Sequence, residues 1–249
     1  MIEEIKKWWE ENSKTFQEES QVPVGITYGP CMPTEEKLKL LGNLKGKNVL
    51  EIGCGGAQCG IGFAKEGSKV IGIDLSEEQL KYARNLSEQH NVKIELLQGD
   101  IKNLKQIKSN TQDIVFSAWA LFYVDDLEKC FKEVYRVLKK KGIFVFSTIH
   151  PFWKVIESKS LKTKRSYYDT GKYENPDNRG LYVCYTNTIS NIFNNLISAG
   201  FLVEKILEPD QRINDKYTSK EIVPEDYKRE AMKFIPRTII FKTRKEVIN

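Results

Sequence analysis

The sequence lacks several features that would place it in a class at once. No run approaches the roughly 18 consecutive apolar residues of a membrane-spanning helix. The charged N-terminal segment MIEEIKKWWEENSKTF lacks the apolar core of a secretory signal. These absences predict a cytoplasmic protein without membrane attachment. The five cysteines form no CxxC pair, and such a scattered, odd set favours neither a disulfide framework nor a metal site.

The chain also lacks a strong charge of one sign. A net charge of +5 over 249 residues is weak evidence for a nucleic-acid partner. The positive excess lies in residues 150–249, because residues 1–149 carry 21 basic and 21 acidic side chains. That distribution could favour an anionic substrate, although a solvated basic surface is the simpler interpretation.

What the chain does have is a regular alternation of apolar and amphipathic segments between residues 48 and 149. The apolar segments predict five strands: NVLEIG, KVIGID, VKIELLQGD, DIVFSA and GIFVFSTIH. Amphipathic segments predict helices over 57–67, 76–90 and 125–142, the second with Ser76 as its N-cap. Because the strands are apolar almost throughout, we expect a parallel sheet covered on both faces. Right-handed crossovers then give a doubly wound, Rossmann-like α/β fold.

The flanking segments predict a cap on one side of this core and a completed sheet on the other. We expect one domain over 1–249, divided into an N-terminal helical cap and linker (1–45), a core (46–149), an insertion after the fifth strand (150–187) and a C-terminal part (188–249). The last part adds a helix over 188–200, strands over 201–209 and 237–245, and a loop over 209–234. The expected sheet has seven mostly parallel strands. Tyr168 and Tyr173 in the insertion are candidates for covering a substrate.

The first strand leads into a glycine-rich turn, VLEIGCGGAQCG. A phosphate-binding loop needs Gly-Lys-Ser/Thr after its glycines, and no lysine follows before Lys65. A dinucleotide site needs glycines at positions one, three and six of the turn. Gly53 and Gly55 supply the first two, but Gln58 occupies the sixth. The turn therefore fits a nucleoside triphosphate poorly. The missing third glycine argues against an NAD site, which stays an open alternative.

Three acidic residues lie at or near the carboxyl ends of the first three strands: Glu51 inside the first, two residues before Gly53, Asp74 at the end of the second and Asp100 after the third. The carboxyl ends of parallel strands meet at one edge of the sheet, where such folds bind ligands. An acid after the second strand suits the two hydroxyls of a ribose, and an acid after the third can accept from an exocyclic amine. Glu51 beside the turn favours a cation over a pyrophosphate. These residues predict a ligand with ribose, adenine and an ammonium but no phosphate.

Five motifs in order carry a resemblance to the class I S-adenosylmethionine-dependent methyltransferases: VLEIGCGGAQCG, VIGIDLSEEQL, LLQGDI, DIVFSAWALFYVDD and VLKKKGIFVFSTIHP. More weakly, WWEENSKTFQEES, YGP, SYYDTGKY and PRTIIFKTRK look like a microbial branch that acts on small molecules. The resemblance implies a cofactor site for S-adenosyl-L-methionine, with S-adenosyl-L-homocysteine as product, formed by Tyr28, Glu51, Gly53, Gly55, Gly56, Asp74, Leu75, Gln79, Asp100, Ile101, Ser117, Ala118 and Trp119.

Within that site the resemblance implies a role for each group. The glycines lie against the methionyl part, with Glu51 on its ammonium side. Asp74 holds the ribose and Asp100 the adenine amine. Ser117, Ala118 and Trp119 line the point of methyl transfer. Each residue also has a structural interpretation: the glycines can shape a tight turn, and Asp74 and Asp100 can cap the helices that follow them.

His150 ends the fifth predicted strand before Pro151, at a position that faces the methyl group in related folds. We expect it to contact substrate or act as a general base, although a buried core histidine is the alternative. No metal is expected.

The predicted function is methyl transfer to a small-molecule acceptor. The segment FSAWA, where amino-methylating enzymes carry Asn/Asp-Pro-Pro-Tyr/Phe, argues against nucleobase or glutamine targets. Three alternatives stay open: an RNA methyltransferase, a non-catalytic protein that binds S-adenosylmethionine, and an NAD-linked oxidoreductase on the same sheet.

Overall fold

A seven-stranded sheet forms the centre of the computed structural model, which describes residues 2–157, 160–177, 180–210 and 229–246. Its strands are β1 (Asn48–Ile52), β2 (Lys69–Asp74), β3 (Ile94–Gln98), β4 (Gln112–Ala118), β5 (Leu138–Ile149), β8 (Phe201–Leu207) and β9 (Thr238–Lys245). The order across the sheet is β3-β2-β1-β4-β5-β9-β8. The first five strands are parallel, and β9 runs antiparallel to both β5 and β8. This confirms the predicted sheet.

Helices cover both faces of the sheet. They are α1 (Ile2–Ser20), α2 (Glu35–Leu38), α3 (Gln58–Lys65), α4 (Glu77–Gln89), α5 (Leu127–Val137), α6 (Ile189–Ser198) and α7 (Arg229–Met232). Alternate residues of β1 point to opposite faces: Leu50 and Ile52 belong to one buried cluster and Val49 to the other. The two-sided burial explains why the strands read as continuous apolar runs. Ser76 accepts a hydrogen bond from the Gln79 N–H at 3.2 Å, which confirms the predicted N-cap of α4.

One boundary differs from the sequence-based expectation. The helix predicted to run to residue 142 ends at Val137, and Leu138 already pairs with Gln112 in the sheet. The reason lies far along the chain: the Lys245 ammonium donates hydrogen bonds to the carbonyls of Tyr135 and Leu138, at 2.7 and 2.8 Å. A cation at the C-terminal end of a helix satisfies its last carbonyls, so α5 stops there.

The segment after β5 forms structure that the sequence did not predict. A 3-10 helical turn over Pro151–Val155 is followed by an antiparallel ribbon of β6 (Gly171–Asp177) and β7 (Gly180–Thr186). The ribbon lies against α1, where the rings of Trp8 and Tyr182 meet edge to face with centroids 5.6 Å apart. Together α1 and the ribbon cover the carboxyl edge of the sheet. Most of the loop predicted over 209–234 lies outside the described residues, and the four-part division of the domain stays a prediction.

In the described part of the chain, no helix is both long enough and apolar enough to cross a bilayer.

Candidate functional site

A cavity of about 630 Å³ lies at the carboxyl edge of the sheet, beneath α1 and the ribbon. Its size is in the range of small-molecule and cofactor sites. Most of the predicted site residues line it: Glu51, Gly53, Gly55, Gly56, Asp74, Leu75, Gln79, Asp100, Ile101, Ala118 and Trp119. The parallel strands therefore bring these residues together at the carboxyl edge of the sheet, as we expected from their positions near the strand ends.

The glycine turn between β1 and α3 has a left-handed backbone at Gly53 (φ +65°) and Gly55 (φ +52°). Gly53 is also pressed against the segment after β4, since a Cβ there would lie 2.2 Å from the Cβ of Ala120. At Gly55 the nearest atom to such a Cβ is the Gln79 Oε1, at 3.5 Å. Only glycine fits the first position without a shift of backbone, whereas the second is sterically open.

Asp74 at the end of β2 organises the turn. Its Oδ2 accepts the Gly55 N–H at 2.8 Å and its Oδ1 accepts the Ser76 N–H at 2.9 Å. Burial raises the pKa of Asp74, while the backbone N–H groups of Ser76 and Gly55 oppose that rise. Each carboxylate oxygen has two lone pairs. The side chain can thus accept two hydroxyl donors from the cavity while it holds both backbone amides.

Glu51 lies in β1 just below the turn and is 3% exposed. Burial raises its pKa to about 8. Among the described residues, no donor lies within hydrogen-bond distance of its Oε2. A Cβ at Gly60 would come within 2.8 Å of that oxygen, so Gly60 lets α3 pass close to the carboxylate. The Glu51 oxygen that has no donor in the described part of the chain borders the cavity, and a ligand ammonium placed there would favour the ionised carboxylate and lower the pKa of Glu51.

The raised pKa of Glu51 makes stability depend on pH. In the unfolded chain the carboxyl group loses its proton near pH 4.5, whereas in the fold it keeps the proton up to about pH 8. The folded state binds more protons in that window, so the free energy of unfolding falls as pH rises, by at most about 1.4 kcal/mol per pH unit. We expect Glu51→Gln to remove this slope. Urea unfolding of both proteins between pH 5 and about 8 measures it, and parallel curves would contradict the assignment.

Asp100 and Ile101 follow β3 at the same edge. The Asp100 Oδ1 accepts the Lys102 N–H at 2.9 Å, which fixes the turn. The Lys102 ammonium pairs with Asp125 and lies 3.9 Å from the Asp100 Oδ2. Because Asp125 engages Lys102, the Asp100 carboxylate at the cavity wall is only partly neutralised.

A chain of buried amides ties α1 to the glycine turn. The Gln58 Nε2 donates to the Gln17 Oε1, and the Gln17 Nε2 donates to the Gln79 Oε1, each at 2.7 Å. Glu10 of α1 further accepts the backbone N–H groups of Glu77 and Glu78 at the start of α4. Gln58, which departs from the dinucleotide pattern, therefore anchors the cap over the cavity. Sequence reasoning missed Gln17, because a polar residue on a surface helix shows no sign of its partner.

Trp119 follows β4 with a left-handed backbone (φ +58°). A left-handed backbone is costly for a bulky residue, so the surrounding contacts must hold Trp119 in this conformation. Its indole packs against Gly29, where a Cβ would lie 2.2 Å from the Trp119 Nε1. The Arg237 guanidinium also lies over the ring, 4.5 Å from its centroid. The indole is thus clamped as one wall of the cavity.

Three predicted residues are not on the cavity wall. Tyr28 is fully buried in the core and donates its hydroxyl to Glu35. Ser117 donates to the Ile52 carbonyl at 2.9 Å, joining β4 to β1. His150 does not line the cavity either: its Nδ1 accepts the Phe152 N–H, and its Nε2 lies 2.6 Å from the Glu208 Oε1, so its predicted contact with substrate stays a prediction. It caps the turn after β5, and burial lowers its pKa despite Glu208.

Residues of the insertion and Arg237, just before β9, line the site instead. Lys154, Lys164, Tyr173, Tyr182 and Arg237 line the cavity. Of the two proposed covering tyrosines, Tyr173 is there, whereas Tyr168 is 83% exposed and lies elsewhere. The basic excess after residue 150 was the one sign of these cations. In the described ranges, no cluster of three His, Cys, Asp or Glu side chains is placed to hold a metal ion.

A family model described as a methyltransferase domain matches residues 43–210. An uncharacterised protein of Haemophilus influenzae is 30% identical over 187 residues, which is 69% of this chain and 74% of that protein. A ubiquinone biosynthesis O-methyltransferase of Acinetobacter baumannii is 32% identical over 146 residues, 58% of each chain. The match thus spans little more than half of that enzyme.

Solved structures share the fold. A crystal structure of an S-adenosylmethionine-dependent methyltransferase from Mesorhizobium loti is similar with a TM-score of 0.66 and 25% identity, over 83% of this chain and 94% of that one. The [4+2]-cyclase SpnF reaches the same TM-score of 0.66 at 16% identity, over 99% and 97%. The second likeness concerns the fold alone, which hosts more than one chemistry.

Proposed function

Because the chain belongs to the class I S-adenosylmethionine-dependent methyltransferases, we propose that its cavity holds S-adenosylmethionine along the ends of β1 to β4 and takes a small-molecule acceptor beside it. The observation that carries this proposal is the acidic turn. Glu51 presents a carboxylate oxygen without a donor among the described residues, and Asp74 retains lone pairs toward the same cavity.

Each part of the proposed cofactor has a matching group. Glu51 takes the ammonium, Asp74 the ribose hydroxyls and Asp100 the adenine amine. Leu75 and Ile101 supply apolar walls for the ring, and the open face of Gly55 gives the methionyl chain access to the backbone. No phosphate-binding group is needed, which agrees with the acidic lining. Gln79 contributes through the amide chain that holds α1 in place.

The cofactor supplies an already activated methyl group, so the protein needs no covalent nucleophile. What the chain contributes is position and exclusion of water. Trp119, which contacts Gly29 and Arg237, and Ala118 form the wall at the end of β4. The roof consists of α1 and the ribbon, which together cover part of the space. A partly covered cavity of about 630 Å³ suits a small acceptor better than a folded RNA.

Calorimetry with S-adenosylhomocysteine and with NAD tests the cofactor assignment. We expect S-adenosylhomocysteine to bind. NAD is expected to show no heat of binding, because the cavity offers carboxylates where its pyrophosphate would lie. Binding of NAD alone would refute the proposal. Incubation with S-adenosylmethionine and pools of small metabolites, followed by mass spectrometry, then separates a transferase from a binding protein: the transferase yields products heavier by one methylene unit.

A further inference from the structure

The charges around the cavity are divided between two ends. The acidic residues Glu51, Asp74 and Asp100 belong to β1, β2 and the turn after β3, on one side of the sheet. The basic residues Lys154, Lys164 and Arg237 come from the segment after β5 and from the start of β9, on the other side. Asp125 and Lys102, which also line the cavity, neutralise each other as an ion pair.

Lys154 is the centre of the basic end. Its ammonium lies over three rings, 5.5 Å from the centroid of Tyr182 and 5.7 Å from those of Phe122 and Tyr173. Its one hydrogen-bond partner among the described residues is the Cys184 Sγ at 3.6 Å, and no carboxylate in that part of the chain pairs with it.

The neighbours of Lys154 do not cancel its charge. Burial raises the pKa of the Cys184 thiol, so the sulfur stays neutral near pH 7. Burial lowers the pKa of Lys154, and Lys164 and Arg237 act in the same direction, because each disfavours another positive charge beside it. A cation enclosed in this way is costly unless an anion comes to it. Contacts with aromatic faces reduce this desolvation cost but do not replace a counter-ion.

The walls between the two ends are mostly aromatic. Phe122 and Trp119 meet edge to face at 6.1 Å, and Tyr123 and Tyr182 do so at 5.5 Å. A flat apolar body can pack against the surface that such rings present to the cavity. The cavity thus offers a cation for one end of a ligand and aromatic surface for the rest.

We propose that the methyl acceptor is an organic anion with a planar body, whose carboxylate or phenolate is bound by Lys154 at the basic end of the cavity. This inference rests on the proposed function, which assigns the acidic end to the cationic cofactor. With both ligands bound, the acidic end of the cavity faces the cationic cofactor and the basic end faces the anionic acceptor. Lys154 is then the residue that selects acidic acceptors over neutral ones.

The test uses two probes of equal shape, para-fluorobenzoate and its neutral analogue para-fluorobenzamide. Each is titrated by fluorine NMR into the full chain, with and without saturating S-adenosylhomocysteine. We expect the anion to bind at least about tenfold more tightly, as for a charged hydrogen bond. Lys154→Gln abolishes the preference, while Lys154→Arg, which keeps the charge, retains it.

Lys162→Gln is the matched control, because it removes the same charge from an exposed side chain of the same segment that does not line the cavity. It keeps the wild-type preference. Equal affinity for both probes, no binding of the benzoate, or an intact preference in Lys154→Gln overturns the inference. Binding of S-adenosylhomocysteine reports separately on the proposed function and on folding of each variant: if it fails in the wild type, the cofactor assignment falls, and the probes still decide the anion preference.

Discussion

Replacing Gly53 by alanine is expected to destabilise the protein by about 3 kcal/mol, the sum of a left-handed backbone and a steric overlap. The new methyl group would lie 2.2 Å from the Cβ of Ala120. That neighbour is a single atom fixed to the backbone and cannot rotate away. Either the turn or the segment after β4 must move, and the Gly55 N–H would move with the turn away from Asp74.

Gly55→Ala is the matched control. Gly55 shares the positive φ (+52°), but its added Cβ meets only the end of a flexible side chain at 3.5 Å. We expect a loss of about 1 kcal/mol from the backbone conformation alone. Urea unfolding without ligand measures both variants. Equal losses would show that the contact with Ala120 does not constrain the turn. A Gly55→Ala protein that is stable yet binds S-adenosylhomocysteine weakly would indicate direct contact between turn and cofactor.

The part of the site that sequence predicted is the part fixed by regular structure. Once five apolar segments are taken as parallel strands, Glu51, Asp74 and Asp100 must meet at one edge, because the carboxyl ends of such strands coincide. The structure brings all three to one cavity. The seven-stranded order followed from the same alternation together with the two C-terminal strands.

The residues that were misplaced lie where regular structure ends. His150 directly follows a strand, but Pro151 begins a 3-10 turn. The histidine side chain therefore accepts the Phe152 N–H and contacts Glu208, which is 58 residues away in sequence. Tyr28 lies in a linker whose course is fixed by Glu35, which accepts the tyrosine hydroxyl and also the N–H groups of Leu40 and Leu41. Neither set of contacts has a periodicity that a sequence pattern could show.

The basic end of the cavity escaped prediction for the same reason. Lys154 lies in a short turn and Arg237 precedes the last strand, so no heptad or alternation marks either as buried. Tertiary packing alone places Arg237, 1% exposed, over the ring of Trp119. Charge counting detected the excess of cations after residue 150 but not that three of them line the cavity.

Asp74→Asn is expected to weaken S-adenosylhomocysteine binding by about 10- to 150-fold, the equivalent of 1.5–3 kcal/mol for charged hydrogen bonds. The amide has nearly the shape of the carboxylate but only one oxygen. That oxygen cannot accept from both Gly55 and Ser76, which now lie 2.8 and 2.9 Å from separate carboxylate oxygens. The amide nitrogen then faces a backbone donor, and one hydroxyl of the ribose loses its acceptor.

Asp113→Asn separates this effect from the general cost of removing a hydrogen-bonded aspartate. Asp113 accepts the Asn48 N–H at 2.9 Å and pairs with Lys139 at 2.8 Å, at the opposite edge of the sheet. Its pKa is lowered by these partners against the opposing effect of burial, so its loss reduces stability. Calorimetry on the folded protein should nevertheless find its ligand affinity within about twofold of wild type, since nothing in the cavity changes. If both variants bind equally well, Asp74 has no part in holding the ribose, and the cofactor must lie elsewhere in the cavity.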